Sequence, residues 1–150
     1  MRAVETSFLR GILEGDPRAL RGLSSLRGER LVTTEYHLAE LLELAEAAPR
    51  THRKCRRQAV HRLRDRLTVI AIDEKAGQML EASLGAFPTP MPPIGGLLAL
   101  CALEASGCEA LLSLNGYDLP KHWRMRPVCL GKRTMDGRTP AKLKTESRNM

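Results

Sequence analysis

Arg2-Ala3-Val4-Glu5-Thr6-Ser7-Phe8-Leu9 reads as a short apolar strand that passes directly into a helix, leaving an acid and two hydroxyls at the strand's carboxyl end. In an open parallel α/β sheet, ligands bind in the crevice outside the strand carboxyl ends. Glu5 is therefore a candidate site residue. Glu5, Thr6 and Ser7 can equally serve as the helix cap, because an oxygen at that point accepts a hydrogen bond from an orphan backbone N–H.

Working outward, Phe8 to Glu14 carries Phe8, Leu9, Ile12 and Leu13 on one face at helical spacing, and Gly15 ends that helix. Asp16-Pro17 is a cap followed by a first-turn proline, opening a second helix through Leu26 with Leu20, Leu23 and Leu26 facing inward. Arg30 to Thr33 is a short buried strand. A helix capped at Thr33-Thr34-Glu35 then runs to about Ala48, with Leu38, Leu41, Leu42 and Ala45 as its buried stripe and Glu40 at the border. The helix Thr51 to Arg66 is mostly basic and must be largely exposed, and Thr68 to Ile72 is a β-branched strand after which Asp73 caps another helix. Prolines 88, 90, 92 and 93 exclude regular structure between Phe87 and Pro93, since each fixes φ and removes a donor. Ile94-Gly95-Gly96 introduces a helix, Leu97 to Ala105, that is apolar almost all round and so expected between the sheet and other helices. Ala110 to Leu114 forms a strand ending at Asn115-Gly116-Tyr117-Asp118, and Arg126 to Leu130 a last one. This order predicts a three-layer α/β/α sandwich with a mostly parallel central sheet over residues 1–131. Residues 132–150 lack apolar periodicity and read as a flexible basic tail.

At 150 residues the chain is long enough to bury roughly two-thirds of its unfolded surface in one core. Only 3% of it is aromatic, which leaves little for stacking platforms that grip single-stranded bases. The net charge of +7 favours an anionic partner. No apolar segment approaches the ~20 residues of a membrane-spanning helix, and no signal peptide is visible, so a cytoplasmic protein is expected. Cys55, Cys101, Cys108 and Cys129 lack C-x-x-C spacing, which argues against zinc or a disulfide framework and for reduced, mostly buried thiols. No internal repeat, Ser-His-Asp, zincin or phosphate-loop pattern occurs.

Mg²⁺ and Mn²⁺ take hard oxygen ligands, and acids gathered at one end of a sheet can hold such an ion to activate water for phosphodiester hydrolysis. Four motifs bear on this: V-E-T-S-F-L at 4–9, H-L-A-E-L at 37–41, G-G-L-L-A-L-C-A-L-E-A-S-G at 95–107 and L-L-S-L-N-G-Y-D-L at 111–119. In their order and spacing they resemble a PIN domain, the fold of metal-dependent ribonucleases that serve as toxins of toxin–antitoxin pairs. The resemblance implies Glu5, Glu40 and Asp118 as catalytic acids, with Asn115 as a further metal ligand and Ser7 as the ordering hydroxyl. The third acid is missing, because Gly96 stands at its position and Glu104 lies about 12 Å further along the helix axis. Glu5 also replaces the usual Asp. The remaining anions give less charge than two ions ~3.5–4 Å apart require.

Two functions stay open: a PIN-like Mg²⁺- or Mn²⁺-dependent endoribonuclease with a weakened site, or a catalytically inactive PIN-fold module that binds RNA or a protein. RNA, an antitoxin protein and a homodimer partner are the expected partners by that resemblance. Arg53, Arg56, Arg57 and Arg64 on the basic helix are the expected phosphate contacts, although a run of charge can also be a merely solvated face. His37, three residues before Glu40, is either a ligand or proton shuttle or a packing residue, and His122-Trp123 reads as a loop anchor.

Overall fold

A computed structural model describes residues 1–130. The boundary expected at 131 and the basic tail expected at 132–150 lie outside the described residues. The elements are β1 (Arg2–Val4), α1 (Thr6–Glu14), α2 (Pro17–Ser25), β2 (Leu31–Thr34), α3 (Glu35–Glu46), α4 (Arg50–Arg64), β3 (Thr68–Ile70), α5 (Glu74–Ser83), a 3-10 turn (Leu84–Ala86), α6 (Ile94–Ala105), β4 (Ala110–Ser113) and β5 (Arg126–Cys129).

The five strands form one sheet in the order β3-β2-β1-β4-β5, and every neighbouring pair is parallel. β1 is central, pairing Ala3 with Val32 on one side and with Leu111 on the other. Because side chains alternate along a strand, that row faces one layer and the next row faces the other. Ala3, Val32 and Leu111 pack with Leu97, Leu100, Cys101 and Leu103 of α6. Val4 and Leu112 pack with Phe8, Leu9, Leu38, Leu41 and Val60 from α1, α3 and α4. The second row is interrupted by Thr33, whose buried hydroxyl donates to the Val4 carbonyl at 2.9 Å and so leaves no polar atom unpaired. α6 lies between sheet and helices as its composition demands, with Leu97, Ala99, Leu100, Cys101, Ala102 and Leu103 buried.

Several boundaries differ from the sequence expectation for local reasons. α1 begins at Thr6, two residues before Phe8, because Glu5 itself takes the cap position. α6 begins at Ile94 and includes both glycines, which sit in a first turn where backbone N–H groups lack helical partners in any case. β3 stops at Ile70, opposite the last residue of β2; Ile72 beyond it is 37% exposed. On α2 the inward face is Ala19 and Gly22, with Leu26 just beyond, while Leu20 is 42% exposed. The small face lets α2 close on α1: a Cβ on Gly22 would come within 3.2 Å of the Phe8 ring and 2.6 Å of Leu130.

The thiols differ in environment. Cys101 and Cys108 are buried, Cys129 is half-buried and Cys55 is exposed, all four unbridged. No helix among the described residues is long and apolar enough to cross a membrane.

Candidate functional site

Four strands of the sheet point their carboxyl ends at a cleft of about 630 Å³ whose inner wall is Glu5, Thr6, Glu40, Glu43, Asn115 and Tyr117. Its outer wall carries two ion pairs, Arg10 with Glu14 and Arg18 with Asp16, both at 2.8 Å. The Arg18 guanidinium holds the Asp16 carboxyl well below its usual range, at about 2.

Glu5 lies at the floor, only 2% exposed, in the extended conformation that ends β1 and caps α1. Its Oε2 accepts the Ser7 N–H at 3.0 Å, and its Oε1 accepts both the Phe8 N–H at 3.1 Å and the Ser7 hydroxyl. The Tyr117 hydroxyl is the fourth donor. A carboxylate offers about four acceptor positions, so the side chain is saturated by its own surroundings. Ser7 Oγ in turn accepts the Leu114 N–H at 2.9 Å, which ties the start of α1 to the end of β4. Burial pushes the Glu5 pKa above the ordinary carboxylate value in spite of these bonds, and burial followed by the neighbouring Glu5 charge pushes the Tyr117 phenol upward.

Glu40 approaches from α3, and its Oε1 accepts the Thr6 hydroxyl at 2.7 Å. Asn115 reaches the cleft from the loop after β4, where Gly116 at φ 78° makes the turn that a side chain would resist. Asp118 is exposed and does not line the cleft. Three of the four residues singled out from sequence thus share one wall and the fourth does not. Thr6 and Tyr117, which hold the two glutamates, had no motif to mark them.

At the position of the missing acid the space is taken from across the cleft. A Cβ on Gly95 would come within 2.7 Å of the Tyr36 ring, so glycine is required there by close approach. A Cβ on Gly96 would meet Pro92 at 3.6 Å and the Tyr36 hydroxyl at 3.7 Å, ordinary contacts. An aspartate at 96 therefore fits, removes a flexible glycine from a helix and puts a negative charge in an N-terminal turn that has no side-chain cap. Gly96→Asp is expected to stabilise the protein by about 1 kcal/mol, read as a rise of several degrees in the thermal midpoint. A fall would show that Tyr36 cannot accommodate the side chain.

As arranged, these groups do not fit a divalent ion. Glu5 has no free acceptor position, Glu40 is engaged by Thr6, Asp118 stands outside the cleft and Gly96 supplies no ligand. No group of three or more His, Cys, Asp or Glu side chains among the described residues is placed to hold a metal.

His37 belongs to packing. It is 3% exposed, its ring meets Tyr36 edge-on at 5.7 Å, and its Nδ1 bonds the Thr34 hydroxyl at 3.0 Å. Burial lowers its pKa to about 4. Trp123 anchors the loop before β5, donating from Nε1 to Ser83 Oγ at 2.9 Å and standing edge-on to Phe87 at 5.2 Å. On α4 only Val60 is buried. Arg57 and Arg64 are exposed beside Glu46 and Glu35, Arg56 is exposed, and the Arg53 guanidinium turns inward to the Ala48 carbonyl at 2.8 Å.

Neither a family model nor a curated protein matches the sequence. Solved structures do match. The chain is similar to a chain of DNA-bound VapBC from Salmonella typhimurium, with a TM-score of 0.67 and 19% identity over 86% of this chain and 100% of that one. It is also similar to a chain of VapBC2 from Rickettsia felis bound to a promoter DNA fragment, with a TM-score of 0.65 and 12% identity over 84% and 97% of the two chains. A third is the Mycobacterium tuberculosis sarcin–ricin loop cleaving toxin VapC20, with a TM-score of 0.54 and 18% identity over 74% and 87%. At such identities the likeness is one of architecture, and the five-stranded parallel sheet between helical layers is the PIN-like fold of these proteins.

Proposed function

We propose that this chain is an RNA-binding protein of PIN-like fold, paired with a protein of the antitoxin kind, that holds its RNA without metal-dependent cutting. The observation that carries the reading is the saturation of Glu5: a carboxylate already serving two backbone N–H groups and two hydroxyls has no lone pair left for an ion. The positive charge of the chain supports a nucleic-acid partner. The toxin–antitoxin complexes that share the fold support a protein partner.

A second reading is favoured by the shared wall of Glu5, Glu40 and Asn115. In it the protein is the ribonuclease toxin of such a pair, and Mg²⁺ or Mn²⁺ is held by Glu5, Glu40 and Asp118 with Asn115 assisting. That reading requires Glu5 to release donors and Asp118 to move inward.

One experiment separates the two. A labelled mixed RNA pool is incubated with the protein in Mg²⁺ or Mn²⁺, then resolved on native and denaturing gels. Retarded, full-length RNA is expected. Fragments that disappear with a chelator and also in Glu5→Gln and Glu40→Gln would overturn the non-cutting reading in favour of the nuclease.

A further inference from the structure

We infer that one exposed edge of α4 is a track for the backbone of single-stranded RNA. The inference rests on the RNA-binding reading and adds to it the surface and the mode of contact. At roughly 100° per residue, Arg50, Lys54, Arg57, His61 and Arg64 fall along a single edge of the helix. All five are exposed. The row extends over about 21 Å, fourteen residues at ~1.5 Å each.

Neighbours spaced three and four residues apart stand ~5–6 Å from one another, a spacing comparable to the step between successive phosphates of an extended strand. The helix gives the row nothing acidic to neutralise it from within its own length, and Asp65 follows only at its end. Arg57 and Arg64 meet Glu46 and Glu35 at 3.3 and 2.7 Å, but both pairs are about half exposed, so a phosphate can replace the glutamates at little cost.

Protein partners fit this edge poorly. The core of a protein interface is apolar and depleted of charge, whereas the exposed residues of α4 include no large apolar side chain. Phosphates need no such core, since their binding is driven by counterion release. Thr51 and Gln58, two turns apart and both exposed, run alongside the cations. Their hydroxyl and amide can bond the 2′-hydroxyls that distinguish RNA from DNA. The low aromatic content is consistent with contacts to the backbone and not to stacked bases.

The test uses the full chain and a fluorescent 20-nucleotide RNA of mixed sequence, with anisotropy read over a salt series. Two variants remove equal charge: Arg50→Gln, Lys54→Gln, Arg57→Gln and Arg64→Gln together on the edge, and Arg21→Gln, Arg27→Gln, Lys75→Gln and Lys121→Gln together elsewhere. Circular dichroism checks that both remain folded. The edge variant is expected to lose at least tenfold in affinity while the second variant loses markedly less. Its slope of log affinity against log salt should flatten by roughly 0.7 per cation removed, about three in all.

Each other outcome removes something definite. If the unaltered chain does not bind RNA, the RNA-binding reading fails and the track with it. If it binds and the edge variant matches it, the track alone fails. Equal losses in the two variants would make net charge the cause, and equal affinity for the DNA of the same sequence would overturn the assignment to RNA.

Discussion

Glu5→Ala is expected to lower the free energy of unfolding by roughly 2–4 kcal/mol. The substitution removes the cap of α1, a loss of ~0.5–2 kcal/mol in itself. It also strands the Ser7 and Tyr117 hydroxyls in a largely buried pocket, where a lost partner costs ~1–3 kcal/mol. The Ser7 hydroxyl has the further task of accepting from Leu114, so the loss loosens the junction between α1 and β4. The sign of the change is diagnostic. An acid kept among other acids for an ion is a source of strain in the ion-free protein, and its removal commonly stabilises. Here the acid is the centre of a hydrogen-bond network, and its removal should destabilise. Urea denaturation at neutral pH without divalent ions measures the effect, and a variant as stable as the parent would mean that the network is not what Glu5 is for.

Acidification is expected to remove about 3 kcal/mol through His37 alone. In the unfolded chain its imidazole takes a proton near pH 6.5, whereas in the folded protein burial delays this until about pH 4. Between those values the unfolded state binds more protons, so stability is complete above pH 6.5, declines as the pH falls and levels off below about 4. The geometry explains the resistance. Thr34 Oγ1 caps α3 by accepting the His37 N–H at 3.4 Å, which leaves its own proton for Nδ1 and keeps that nitrogen an acceptor. Glu5 acts in the opposite sense: its raised pKa means that the folded protein gains its proton first, returning some stability as the pH falls toward the ordinary carboxylate range. The His37 contribution is therefore read as a difference, from urea midpoints at pH 7 and 4.5 for the parent and for His37→Gln. The pH-dependent loss should be smaller in the variant by a large part of that 3 kcal/mol, and parallel behaviour would rule out His37 as the acid-sensitive group.

The division between what was legible in the chain and what was not follows the range of the interactions. Alternating and helical periodicity, the prolines at 88–93 and the caps at Asp16, Thr34 and Asp73 are local, and the layered parallel sheet follows from them. The same local reasoning left Glu5 open between a cap and a site residue, and the structure makes it both the cap of α1 and the floor of a cleft. It could not indicate that Thr6 meets Glu40 across 34 positions, or that Ser7 meets Leu114 across 107. Nor could it show that Tyr36 lies against Gly95 and Gly96 or that Asp118 stays outside the cleft. The sequence by itself determined which elements form and which acids lie near strand ends, because backbone propensity and burial pattern act over a few residues. Only the tertiary structure decided whether those acids are free to take an ion, because a carboxylate's hydrogen-bond partners come from segments that the chain brings together after the sheet has closed.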